Sequence, residues 1–301
     1  MRLSGKVVVG VVVLAVVVVS SIPIVIGIGS SRGPGADFEA PGPRIVALSP
    51  AIATTVAEMG LGDRIVGRHA YDAFTARSVA VIGDNTGVDY EALARSRPTH
   101  VLTQWGVRGP PERLVKVAER HGWVMQDFAL LTLEDVSAMV EACERLDESR
   151  APGAARARLE ASWARDERDL SRAGRVLLLW SCSPPAAMGP GSFHYQVLER
   201  LGGTPALTTG SAYVQMDAED VLRLSPDGIV LVMARDPGTE PGARDRGALE
   251  ARLGVLARLD VPAIRGWRVA LIDEPTALLP GSSLAEFAGE LRGVLREWSG
   301  E

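Results

Sequence analysis

The chain has 301 residues, of which 47% are apolar and 23% charged, and a net charge of −5. This composition supports a sizeable core and excludes wholesale disorder, and it leaves no face-wide excess of Lys and Arg for nucleic acid. Two cysteines, Cys143 and Cys182, are too few and too far apart for a disulfide scaffold or a zinc site.

Arg2 and Lys6 bracket the start of a Val-rich run over 7–19, which Ser20, Ser21 and Pro23 interrupt before 22–28 turn apolar again. Positive residues followed by an apolar stretch predict an export signal, and 7–28 is also long enough to anchor in a bilayer. The rest of the chain is expected outside the inner membrane. Residues 29–43, rich in Gly, Pro and Ser, predict a tether.

From residue 44 the pattern alternates. The run at 44–48 reads as a buried strand. Ser49-Pro50 then reads as N-cap and first residue of a helix that stops at Gly60-Leu61-Gly62. Strands are expected at 65–67, 79–82, 99–103 and 124–128, and helices at 89–95, 110–121 and 133–146. Residues 151–173, rich in Ala, Arg and Glu, read as one long helix. After it, strands are expected at 176–180, 229–233 and 269–272, and helices at 194–201, 247–256 and 284–298. Such alternation predicts parallel sheets with right-handed crossovers, in two α/β units joined by a helix.

An internal echo supports two related units. Asp89-Tyr90-Glu91 starts nine residues before Pro98 and the strand Val101-Leu102. Asp217-Ala218-Glu219 starts nine residues before Pro226 and the strand Ile229-Val230. No G-x-S-x-G elbow, H-E-x-x-H pair or dinucleotide fingerprint occurs, so the residues do not point to an enzyme. Gly189 to Ser192 reads as a turn capped by Ser192. Cys143 fits a helical core pattern, and Cys182 is placed in a loop near the cleft, with their pairing open.

The stretches RIVALSP (44–50), MGLGDRIVG (59–67), VIGD (81–84), VDYEALARSRPTHVL (88–102), GPGSFHYQVLERLGG (189–203), MDAEDVLRLSPDGIVLV (216–232) and VPAIRGWRVALID (261–273) carry a resemblance in their order and spacing. Over residues 44–300 the chain resembles the periplasmic binding proteins that feed iron-siderophore, haem and cobalamin ABC importers. The segment 180–203 is most similar to cobalamin binders, although Asp84-Asn85 stands where their pattern has an aromatic. The resemblance implies two Rossmann-like lobes joined by one long α-helix: a signal or anchor (1–28), a linker (29–43), an N-terminal lobe (44–148), an interlobe helix (149–174) and a C-terminal lobe (175–301). It also implies a periplasmic, non-enzymatic monomer that hands a metal chelate to an ABC permease with its ATPase. The chelate is a corrinoid in the first reading and haem or a ferric siderophore in the second. A membrane-tethered sensor without a transporter is the remaining alternative.

In open α/β units the ligand lies beyond the carboxyl ends of the strands. A flat macrocycle needs rigid apolar walls and a few polar edge contacts. Tyr71, Trp105, Phe193 and Tyr213 are the expected walls, and Ser49, Asn85, Gln104 and Arg235 the expected edge contacts, with Arg108 a further cation. Trp180 reads as core. His69 and His194 lie nearer the expected cleft than His100 and His121. Glu91 and Glu219 match the family's permease-docking carboxylates, one on each lobe.

Overall fold

A computed structural model describes residues 42–147 and 153–300. The expected signal or anchor, and the linker up to residue 41, lie outside the described residues. Among the described residues no helix is long and apolar enough to cross a membrane.

The first sheet holds β1 (Ile45–Leu48), β2 (Ile65–His69), β3 (Ala80–Asp84), β4 (Gly87–Val88), β5 (His100–Thr103) and β6 (Val124–Asp127), in the order β4-β3-β2-β1-β5-β6. All neighbours run parallel except β3 and β4. β1 is buried at every position because helices cover both of its faces, as its continuous apolar run requires. Three helices belong to this unit: α1 (Pro50–Val56), α2 (Tyr90–Ser96) and α3 (Glu112–His121). α1 continues into a wide turn over Ala57–Leu61, where Gly60 takes the left-handed φ of 73°.

After α4 (Leu133–Glu144) and α5 (Ala154–Ser162), the second sheet comprises β7 (Arg175–Cys182), β8 (Pro185–Met188), β9 (Thr204–Pro205), β10 (Tyr213–Gln215), β11 (Gly228–Val232) and β12 (Val269–Ile272). Its order is β10-β8-β7-β11-β12, with β9 also on β7. β7, β11 and β12 are parallel, whereas β8 runs antiparallel to β7 and to β10. The expectation of purely parallel sheets therefore needs correcting at the edges. β8 and β10, of four and three residues, are too short to stand out by periodicity. α6 (Phe193–Leu201), α7 (Ala218–Leu224), α8 (Arg246–Leu253), α9 (Pro262–Arg265) and α10 (Leu284–Trp298) complete the chain.

The echo seen in the sequence is an echo in space. Asp89 caps α2 by accepting from the amides of Glu91 and Ala92, and Asp217 caps α7 through a capping box with Asp220. Each helix ends on a left-handed residue before a proline: Arg97 at φ 45°, ψ 59° and Ser225 at φ 47°, ψ 59°. An arginine at the head of the central strand then holds the last carbonyls. Arg44 donates to Ser96 O (2.6 Å) and Arg97 O (2.9 Å), and Arg175 donates to Leu224 O (2.6 Å) and Ser225 O (2.9 Å). Even the following residue matches: Arg44 N donates to Thr99 Oγ1 and Arg175 N to Asp227 Oδ2.

The connector departs from expectation. Residues 151 and 152 of the expected helix 151–173 lie outside the described residues; over the rest a helix spans only Ala154–Ser162, and a 3-10 turn follows at Leu170–Ala173. Tertiary contacts stop it. Trp163 turns into the core at 3% exposure. Arg292 of α10 donates to Ser162 O (2.7 Å) and Ala164 O (3.1 Å), taking carbonyls that a continuing helix would use. The Asp166 amide donates to Leu201 O, the last residue of α6. Its carboxylate receives Arg292 (3.2 Å) and Arg296 (2.9 Å). Burial opposes the charge, but the Arg168 amide and these two guanidiniums hold the Asp166 pKa below the ordinary carboxylate range.

One continuous core crosses the connector. Ile45, Ile52 and Leu102 of the first unit, Leu159 and Trp163 of the connector, and Val176, Leu198 and Phe287 of the second belong to the same buried cluster. Smaller clusters fill the outer side of each sheet. Trp298 covers Gly228 at the start of β11, where a Cβ would collide with the indole ring. Both cysteines are free and buried. Cys143 faces the Met139 sulfur at 3.7 Å, and Cys182 ends β7 rather than lying in a loop. Phe287, 2% exposed, lies in this shared core edge-on to His194. Phe287→Ala is expected to lower unfolding free energy by about 3–5 kcal/mol, as truncation of a buried aromatic does. Urea denaturation followed by circular dichroism measures it, and a loss below about 1 kcal/mol would show that the core relaxes around the gap.

Candidate functional site

β1 and β5 are neighbours, and their helices leave in opposite directions along the sheet, so the crevice beyond their carboxyl ends is the switch point of the first unit. Ser49 and Gln104 follow those two strand ends. Ser49 sits at the N-cap position of α1, but its hydroxyl does not cap. It donates instead to Gln104 Oε1 at 2.6 Å and bridges the crevice. The expected cap is thus replaced by a polar contact between two expected site residues.

Beside them Trp105 is held by its backbone. Its amide donates to Asp127 Oδ1 at 2.9 Å, and the same carboxylate oxygen accepts from Thr103 Oγ1 at 2.6 Å. Burial pushes the Asp127 pKa up against these two bonds. Asp127 escaped the sequence reading, although its place at the carboxyl end of β6 was a usable signal. The Trp105 Nε1 is buried with no hydrogen-bond partner.

Further along the sheet, Tyr71 is 78% exposed. Its amide donates to His69 Nδ1 at 3.2 Å, and the two rings are 5.7 Å apart. His69 is buried. Burial lowers its pKa, opposed by a hydrogen bond with Asn85 and by the charges of Asp84 and Asp72. His69 therefore ties Tyr71 and Asn85 into one cluster and has no free face of its own. Asp84 closes the Asn85 turn by accepting from the amides of Thr86 (2.7 Å) and Gly87 (3.2 Å). Arg108 stands exposed in the turn after Trp105.

In the second unit the corresponding crevice lies between β7 and β11. Trp180 was expected in the core. It is 40% exposed and meets Tyr213 edge to face at 6.4 Å, with Tyr213 itself 48% exposed. The β7–β8 register shifts between Leu179 and Ser181, so Trp180 sits at an irregularity of the ladder and turns outward, while Cys182 beyond it is buried again. Arg235, after β11, pairs with Glu274, after β12, at 3.5 Å, and donates to Thr239 O. Its Nε is buried without a partner. Glu274 is a second residue that sequence reasoning missed. Asp273 next to it accepts from Gly242 N at 2.6 Å and Arg244 at 3.3 Å, pinning the loop after β11 to the end of β12.

Phe193 departs from expectation. It is 4% exposed and its ring lies 4.1 Å from that of His194, tilted by 35°, so it packs the start of α6 and shows no surface to the cleft. Ser192 caps this helix through Tyr195 N at 3.2 Å, as read. His194 is equally closed off, with Nε2 2.7 Å from Ala277 O. A carbonyl only accepts, so Nε2 carries the proton. Neither His69 nor His194 is placed to reach a ligand metal in the cleft. Among the described residues no group of three or more His, Cys, Asp or Glu is placed to hold a metal ion.

Glu91 and Glu219 occupy the same position, the second residue of α2 and of α7, and both are exposed. Glu91 meets Arg95 at 3.5 Å in a solvated pair.

No protein-family model and no curated protein matches the chain. Solved structures do. A periplasmic haem-binding protein, BhuT, in complex with two haems is 21% identical with a TM-score of 0.64, covering 86% of this chain and 100% of that one. The vitamin B12-binding protein BtuF of Vibrio cholerae is 17% identical with a TM-score of 0.63, covering 87% and 100%. The siderophore periplasmic binding protein from the fuscachelin gene cluster of Thermobifida fusca is 18% identical with a TM-score of 0.63, covering 87% and 100%. The chain has the fold of these two-lobed periplasmic binding proteins, the group its sequence resembles.

Burial pushes the His194 pKa down to about 4, with only the Ala277 hydrogen bond opposing. In the unfolded chain a histidine titrates near about 6.5. Between these values the unfolded state binds the extra proton, so stability is present above the upper value and is lost as pH falls. Unfolding free energy should therefore drop by up to about 1.4 kcal/mol per pH unit over that window. His194→Gln should flatten this slope in urea titrations at pH 7 and pH 5. An unchanged slope would place the sensitivity elsewhere.

Proposed function

We propose that the chain is the extracytoplasmic substrate-binding component of an ABC importer, and that it captures a flat metal-containing macrocycle between its two lobes. The observation that carries this reading is the pair of aromatic walls at the strand ends. Tyr71 and Trp105 stand on one lobe, and the Trp180–Tyr213 pair stands on the other. Large rigid rings lose little freedom on contact and offer area to a planar ligand. The Ser49–Gln104 pair, Asn85 and Arg235 supply polar contacts for its rim. Binding proteins for haem, vitamin B12 and siderophores share the fold, which supports capture over turnover.

The first reading of the ligand is cobalamin or a related corrinoid, on the resemblance of segment 180–203. The second is haem, favoured by Tyr71. An exposed phenol on a fixed backbone is a competent ligand for haem iron, whereas both nearby histidines are buried. Glu91 and Glu219 are proposed to meet arginines of a permease in bidentate pairs, one from each lobe. Their identical helical positions support that role.

Titration of the purified chain with cyanocobalamin, haem and a ferric siderophore, read by tryptophan fluorescence and calorimetry, tests the assignment. Sub-micromolar binding of a macrocycle is expected, weakened about tenfold or more by Tyr71→Ala or Trp105→Ala. Binding of haem with a phenolate absorption band that Tyr71→Phe abolishes would select the second reading. Failure of all three to bind would sink the macrocycle assignment. Glu91→Arg with Glu219→Arg should reduce uptake into cells while ligand affinity stays unchanged. Unaltered uptake would remove the docking role.

A further inference from the structure

A second concavity of about 450 Å³ lies away from the strand ends, against the connector. Its walls come from three helices: α4 before the connector, α5 within it and α6 after it. Leu133, Trp163 and Ala164 give it an apolar side; Arg156 with its partners Glu134 and Glu160 forms one polar wall, and Arg165 and Arg200 form another. Arg156 is fully engaged, donating to Glu160 (2.8 Å), Glu141 (2.9 Å) and Glu134 (2.9 Å). Arg165 and Arg200 are different. Among the described residues neither forms an ion pair or donates a hydrogen bond, although Asp169 feels the charge of Arg165.

Arg165 does not sit on a loose loop. Its neighbours are fixed on both sides: Ala164 O accepts from Arg292, and Asp166 N donates to Leu201 O. Its guanidinium carbon lies 3.6 Å from where a Cβ on Gly202 would stand, at the end of the helix that carries Arg200. Two cations without an ion-pair partner among the described residues thus line one concave surface and are free to take up an anion. Ser137 lines the same cavity. It is 1% exposed, and its hydroxyl makes no hydrogen bond with any described residue.

We propose that this cavity is an anion site that takes one small oxyanion of the phosphate or sulfate class. Arg165 and Arg200 donate to its oxygens, and Ser137 donates from the floor. Planar guanidinium forks match such oxygens in pairs. The site is separate from the cleft and does not depend on what the cleft binds.

Calorimetric titration of the full chain with inorganic phosphate tests it, with sulfate and glycerol phosphate as further arms and chloride at matched ionic strength as the control. Saturable binding of one anion per chain is expected, weakened about tenfold in Arg165→Ala and in Arg200→Ala, a change of about 1.4 kcal/mol. Both residues are exposed, so folding should survive, and circular dichroism checks it. Arg200→Lys should restore part of the affinity. Tighter binding of the ester than of inorganic phosphate would assign the site to an organic phosphate. Absence of saturable binding for every oxyanion overturns the proposal, as does parental affinity in both alanine variants.

Discussion

Asp166 is where the connector is locked onto the second lobe. Its amide reaches the end of α6, its carboxylate takes two arginines of α10, and the chain leading to it carries Trp163 into the shared core. A carboxylate whose side chain is 1% exposed is costly unless paired, and here paired guanidiniums and an amide satisfy it. Three chain segments distant in sequence must therefore converge for the charge to be tolerated. The connector, the second lobe and the C-terminal helix are fixed together by that requirement.

Much of the scaffold was legible because local chemistry and tertiary position agree. The buried run of β1, the Ser-Pro start of α1 and the D-x-E heads of α2 and α7 each follow from residue type. The doubled Asp–Pro spacing also pointed to two related units, and the structure adds matched capping arginines, Arg44 and Arg175. Where tertiary contacts override local preference, the reading failed. Residues 151–173 have helical composition, yet Arg292 and Asp166 end the helix at Ser162. The short strands β8 and β10 carry almost no periodic signal, so the irregular β7–β8 pairing that turns Trp180 outward was not legible.

The candidate site shows the same division. Residues just beyond strand ends were identifiable, because strand direction alone fixes where they emerge. Ser49 and Gln104 meet directly, and Tyr71 and Asn85 meet through His69. What the sequence could not show was which side chains turn inward. Phe193 and His194 differ from Tyr71 only in what packs over them, and that depends on α10, almost a hundred residues away. Asp127 and Glu274, which orient Trp105 and Arg235, were hidden because an acid at a strand end is common and only its partner reveals its use.

The continuous core running through both lobes has a consequence for how the cleft spends conformational entropy. A receptor whose jaws are hinged on flexible strands must order that hinge each time it closes, and the ordering cost is deducted from affinity. Here Leu159, Trp163, Leu198 and Phe287 belong to one packed cluster across the join, so the walls are already positioned before anything enters. Little disorder remains to be lost on capture. In the proposed role, the strength of binding would then be set by surface contact at the walls.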